Sequence, residues 1–170
     1  MIRSENELNI CNKTKITIPT VLLKQAFVYF LKDYRRLNYS LSLVFVGDVK
    51  MREWNRIYRG YDKSTDVLSF PSFLAQKKNK FSVELGLEKE LGEIIINPVQ
   101  IKRQAKKNSA LLRKEDFQKE LLFIFVHGLL HLVGYDDETE KGRIKMLAEG
   151  KKFLKKYFSD FSYSSNKYDY

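Results

Sequence analysis

The stretch Phe125-Val-His-Gly-Leu-Leu-His-Leu-Val-Gly-Tyr-Asp-Asp137 decides how the rest of the chain is read. His127 and His131 are the only two histidines in 170 residues, and they stand four positions apart. On a helix that spacing places both side chains on one face, about a turn apart. Residues from Leu121 to Val133 are apolar almost all round, so the helix carrying them is expected to be buried. Gly134 can end it by taking the left-handed conformation that a Cβ resists. Beyond that turn, Tyr135, Asp136 and Asp137 can come back over the histidine face. Two imidazoles and a carboxylate supply three positions of a tetrahedral metal and leave the fourth open for water, as in a catalytic zinc site. A lone histidine on such a face is more often hydrogen-bonded core; two at this spacing, with none elsewhere, favour a metal. Asp137 has a second reading, because Asp137-Glu-Thr-Glu140 is also a capping box for the following helix. Asp136 is the alternative ligand if the turn is looser.

Working outward, strands and helices alternate, which indicates an α/β or α+β layer. Lys13 to Pro19 alternates, with Ile16 and Ile18 on one side, and predicts an early strand. Thr20 is placed to cap a helix to about Tyr34, with Val21, Leu22, Ala26, Phe27, Phe30 and Leu31 as its stripe. Ser40 to Val46 is a β-branched and aromatic run, hence a strand. Asp48 can cap a short helix through Met51, Trp54 and Ile57. Arg59 to Asp66 reads as a loop, Asp66 to Phe70 as a short strand, and Ser72 to Glu90 as an exposed hairpin connection or flap. Leu91 to Asn97, with its three consecutive isoleucines, predicts a central strand. Pro98 opens a helix that turns Val99, Ile101 and Ala105 inward and Lys102, Arg103, Lys106 and Lys107 outward. The outward cations are either a solvated face or a phosphate-tracking stripe. The histidine helix is expected from Arg113 to Gly134, and a last helix from Asp137 or Glu138 to Phe158. No repeat or internal boundary is visible: residues 1–158 are expected to form one metal-dependent hydrolase domain, and 159–170 a C-terminal tail open to fraying.

Composition narrows the class. Hydrophobic content of 44% suits a soluble globular chain, and the formal net charge of +10 attracts polyanions. Cys11 is the sole cysteine, so no intrachain disulfide can form and a reducing, cytoplasmic setting is expected. Met1 to Asn9 lacks an apolar signal core, and the apolar run before Gly134 is too short for a membrane span. Neither a membrane role nor DNA binding is expected.

The histidine stretch resembles the pattern His-Gly-x-x-His-Leu-x-Gly-Tyr-Asp-His of the YbeY endoribonucleases, a bacterial rRNA maturation family. Tyr58-Arg59-Gly60 with Asp62-Lys63-Ser64-Thr65-Asp66-Val67-Leu68-Ser69-Phe70-Pro71 is similar to that family's second block, and Leu91-Gly92-Glu93-Ile94-Ile95-Ile96 to a third. The blocks fall in the family's order, between about residues 41 and 147. The resemblance implies an α+β, zincin-like fold: a single mixed sheet of about four strands packed with five or so helices. It implies a zinc-dependent, single-strand-specific endoribonuclease that processes the 3′ end of small-subunit rRNA, acts in ribosome quality control, and meets rRNA or its precursor on the small ribosomal subunit. The family's ligands carry directly onto His127 and His131, and by position onto Asp137, where the family has histidine. Its arginine in the second block, thought to assist catalysis, falls on Arg59.

Aspartate at 137 leaves the metal centre one unit less positive, makes its water less acidic, and widens the choice of ion toward manganese or iron. Asp66 reads as an acceptor behind the ligands or as a turn residue. Lys63, Lys77, Lys78 and Lys80, with Tyr61 and Phe73 nearby, can hold single-stranded RNA by charge and stacking, or form a solvated loop. Two other functions compete. The stretch equals the elongated zincin motif of metallopeptidases except at Gly128, where the general-base glutamate would stand. A non-catalytic ribosome-associated protein with a structural metal is the other, and it would need a fourth ligand.

Overall fold

The consecutive isoleucines sit where a strand is covered on both faces. In the computed structural model, which describes residues 6–36, 38–72, 89–108 and 114–165, the chain forms one four-stranded mixed sheet and five helices among those residues. In order these are β1 (Glu7–Asn12), α1 (Thr20–Asp33), β2 (Tyr39–Phe45), α2 (Asp48–Arg59), β3 (Val67–Pro71), β4 (Lys89–Ile96), α3 (Pro98–Asn108), α4 (Lys114–Leu132) and α5 (Glu140–Ser165). The strand order is β1-β2-β4-β3, with β1, β2 and β4 parallel and β3 antiparallel on the β4 edge. This is the α+β, mixed-sheet architecture that the sequence implied.

Alternation along the strands divides the core. Leu41, Leu43, Phe45, Ile94 and Ile96 face the larger cluster with α1, α4 and α5, whereas Ile95 joins Val46, Met51 and Leu68 beneath α2 on the opposite face. Helix α4 is buried as its composition demands: Leu121, Leu122, Phe125, Val126, Leu129 and Leu130 are fully enclosed. Burial of each such side chain contributes about 1.5–3 kcal/mol. This sets α4 rigidly against β3, β4 and the helices on its other sides.

The first strand differs from expectation: it is Glu7–Asn12, not Lys13–Pro19. Asn12 holds the later segment as a turn, accepting from the Thr14 N–H (3.0 Å) and hydroxyl (2.8 Å) and donating to the Ile16 carbonyl (2.9 Å). Side-chain bonds of this kind compete with a ladder. The alternating Ile16 and Ile18 still pack inward, and only the backbone departs from a strand. Two caps also differ. Thr20 is the first helical residue of α1, after Pro19, and α2 is preceded by Gly47, neither with a side-chain cap bond. Val21 and Ile57, expected on buried stripes, are exposed (68% and 60%). The last helix passes Phe158 and runs to Ser165, because Phe161 extends its apolar stripe onto Tyr157 and Tyr29 at ring-centroid distances of 4.5 and 6.2 Å.

Gly92 explains how β3 is held. A register shift in β4 puts it at φ 140°, where a Cβ would lie 2.2 Å from the Phe70 carbonyl oxygen. Only glycine lets the two backbones close there, and β3 then lies along one wall of the site.

Candidate metal centre

His127 and His131 project from the C-terminal half of α4, with ring centroids 4.8 Å apart. Gly134 takes φ 99° and turns the chain, as the Tyr135 N–H bonds back to the Leu130 carbonyl (3.0 Å). The same turn aims the Tyr135 carbonyl at His131 Nδ1, 3.2 Å away. A carbonyl only accepts, so Nδ1 donates and the Nε2 lone pair faces the cavity, an arrangement common behind metal-bound imidazoles.

Asp136 and Asp137 divide the labour that the sequence left open. Asp136 Oδ1 accepts from the Glu138 N–H (2.8 Å) and fixes the turn. Thr139, not Asp137, caps α5, its hydroxyl accepting from the Gly142 N–H (3.0 Å). Asp137 is thereby released toward the histidines: Oδ2 lies 3.5 Å from His127 Nε2, and Oδ1 lies 3.7 Å from His131 Nε2. The candidate ligand atoms of all three residues lie within 4.8 Å of one another. Atoms about 2.1 Å from a shared tetrahedral ion are about 3.4 Å apart, so the carboxylate–imidazole spacings suit such an ion. Burial, and next the neighbouring His131, hold the His127 imidazole below its ordinary range, against the pull of Asp137 and Asp66. A neutral imidazole is the form that binds a metal.

These groups line an open cavity of about 540 Å³, whose walls also include Tyr58, Arg59, Asp66, Ser69 and Phe70. Arg59 is the last residue of α2 rather than part of the loop, and Gly60 closes that helix at φ 75°. Asp66 is held from two sides, by the Thr65 hydroxyl (3.2 Å) and the Gln104 amide (3.0 Å). Ser69 Oγ is buried with no hydrogen-bond partner among the described residues and lies 3.1 Å from the Cβ position of Gly128. That position is also 3.0 Å from Ile94 Cδ1, so α4 packs on the sheet too closely to seat a glutamate there without a shift. Lys63 is exposed beside Tyr61 and is not among the cavity-lining residues. Lys77, Lys78 and Lys80 lie outside the described residues, as does most of the expected flap.

A polar brace built on the buried Asn97 was not anticipated from the sequence. Asn97 is fully buried; its Oδ1 accepts from the Val99 and Gln100 N–H groups (3.1 and 3.3 Å), and its amide donates to Asp48 Oδ1 (2.7 Å) and Ser64 Oγ (2.9 Å). Arg103 grips Asp48 through two bonds, of 2.7 and 2.6 Å, so this cation is no free member of the α3 basic face. The brace ties α2, the 60–66 loop and α3 together behind Asp66. Asn before Pro98 is the capping signal that could have revealed half of it.

The family model for Endoribonuclease YbeY matches residues 8–158. Endoribonuclease YbeY of Mycoplasma mycoides subsp. mycoides is 33% identical over 173 residues, spanning 98% of this chain and 93% of that protein. Its namesake from Halalkalibacterium halodurans is 38% identical over 120 residues, spanning 70% of this chain and 72% of that one. The solution structure of TM1509 from Thermotoga maritima shares the fold, with a TM-score of 0.58 at 24% identity over 92% of this chain and 93% of that one. With nearly its whole length matched in this way, the chain belongs to the Endoribonuclease YbeY family.

Proposed function

We propose that this chain is a metal-dependent, single-strand-specific endoribonuclease whose zinc ion is held by His127, His131 and Asp137. The supporting observation is the convergence of those donors in the wall of an open cavity that Arg59 also lines. The donor set fits: neutral imidazole nitrogen and carboxylate oxygen are both zinc ligands, and Asp137 equally admits manganese or iron. When bound, the ion supplies Lewis acidity and an acidified water. The protein's own residues do the remainder. The Tyr135 carbonyl fixes the His131 tautomer; Arg59 offers its guanidinium to the phosphate on which charge builds. Asp66, held by Thr65 and Gln104, turns its carboxyl group toward the site and acts on the His127 imidazole. The substrate is single-stranded rRNA or its precursor, with processing at the 3′ end of the small-subunit rRNA and ribosome quality control as the cellular task, in the cytoplasm. Among the described residues no helix is long and apolar enough to cross a membrane. Residues 1–158 act as the hydrolase domain. A metallopeptidase is disfavoured, because Gly128 has no side chain to act as the general base.

Single-turnover cleavage of single-stranded and duplex RNA tests this reading with His127→Ala, Asp137→Asn and Arg59→Ala. The parent should cut only the single strand, and each variant should lose at least about tenfold in rate. Equal cleavage by parent and all variants would trace the activity to another site or a contaminant. Metal analysis of protein purified without an affinity tag identifies the ion.

A further inference from the structure

Tyr58 stands out once the metal centre is accounted for. It lies on the last turn of α2, is 60% exposed, and lines the same cavity as His127 and His131. Its ring is fixed against Phe70 of β3 in an edge-type contact, with centroids 4.9 Å apart and planes at 67°. Such a contact occupies at most one face of the ring, and among the described residues Tyr58 is 60% exposed, which leaves ring surface open. Ile57 and Tyr61, 60% and 56% exposed, add apolar surface near the end of α2.

The surroundings of this surface discriminate between occupants. Arg56 and Arg59 are exposed one turn apart on the same helix, and Lys63 is exposed next to Tyr61, with Nζ 5.6 Å from its ring centroid. A purely apolar partner would have to desolvate these cations without recompense. A nucleotide has both a flat π-surface and a negative phosphate, and the chain's net charge of +10 draws such a polymer in.

We propose that Tyr58 is the platform on which one unpaired nucleobase stacks in the metal cavity, with Arg59, which lines the same cavity, taking a flanking phosphate. Which polymer is bound rests on the nuclease reading; the platform adds a physical source for single-strand preference. A base in a duplex has both faces covered by its neighbours and must be unstacked before Tyr58 can receive it. Tyr58 is a specificity residue in this scheme and takes no part in bond cleavage.

The test is equilibrium binding of an end-labelled 2′-O-methyl RNA strand to the zinc-loaded full chain, read by fluorescence anisotropy. A single abasic nucleotide is moved along the strand. Stacking on an aromatic side chain is worth about 1–3 kcal/mol per base, so Tyr58→Leu should weaken binding roughly tenfold, while Tyr58→Phe and Tyr58→Trp should stay within about threefold of the parent. One abasic position should cost the parent a similar factor and cost Tyr58→Leu nothing further. Melting curves for the leucine variant should overlay the parent's. Parent-like affinity of Tyr58→Leu overturns the platform, as do abasic penalties that are the same in both proteins, or failure of the parent to bind. Cleavage of ordinary RNA is read separately. Binding through Tyr58 without cleavage sinks the nuclease reading and keeps the platform, whereas cleavage indifferent to Tyr58 does the reverse.

Discussion

Gly92 and His127 show how much rests on single residues here. At Gly92 a methyl group would meet backbone 2.2 Å away, in a conformation that L residues avoid. Gly92→Ala should therefore cost about 2–4 kcal/mol, lowering Tm by roughly 5–15 °C in a thermal melt. A melt within a degree or two of the parent would mean that β3 can move aside freely. His127 carries a pH signature. Burial first, and His131 second, depress its pKa below the ordinary 6.5, so in metal-free protein the unfolded chain takes up this proton before the folded chain does. The stability it contributes is complete above about pH 6.5 and is lost as the pH falls through the folded value. Chelator-treated parent should lose more urea resistance between pH 7.5 and 5.5 than His127→Gln does. An equal loss in both proteins would assign the effect to other groups.

At the level of elements, the turn between α4 and α5 decides where Asp137 points. Thr139 takes over the capping bond, and Asp136 holds the Glu138 N–H, so neither task falls to the ligand candidate. Thr139→Ala should cost about 1 kcal/mol, a fall of roughly 2–4 °C in Tm, and also weaken zinc binding measured by competition with a chromophoric chelator. Unchanged zinc affinity would show that Asp137 keeps its position without that cap. The Asp48 brace acts between elements. Bonds from Arg103, and further ones from Asn97 and Ser64, hold the Asp48 carboxyl at about 2, below its ordinary 3.8. A depressed carboxylate stabilises the fold above its unfolded value and ceases to do so as the pH falls through the folded one. Between about pH 4 and 2 the parent should thus lose a stability increment that Asp48→Asn lacks, with urea midpoints as the readout. Parallel midpoint curves for the two proteins would remove the brace from the acid response.

Over the whole molecule, the net charge of +10 sets how RNA is gathered before any specific contact forms. Each phosphate neutralised on a single strand contributes about 0.7 to the slope of log affinity against log salt. Binding should weaken steeply with added potassium chloride, and Arg56→Ala should lower the slope by about one such increment. A salt-independent affinity would deny the basic surface any part in binding.

The convergence of His127, His131 and Asp137 was legible in the sequence because the relevant periodicities are short. A pair of histidines four apart, a glycine turn and an aspartate three residues later need only one helix and one turn to meet. The apolar run around them likewise announced a buried helix, and the three isoleucines a strand covered on both faces. What the sequence could not settle involved partners distant along the chain. The position of β1, the choice of Thr139 over Asp137 as cap, and the embrace of Asp48 by Arg103 were each decided by competition for the same donors and acceptors. Tyr58 and Arg59 came to line the metal cavity only because the sheet brings β3, and with it the end of α2, against α4. Local pattern fixes which groups are available; close packing of distant segments fixes which of them meet.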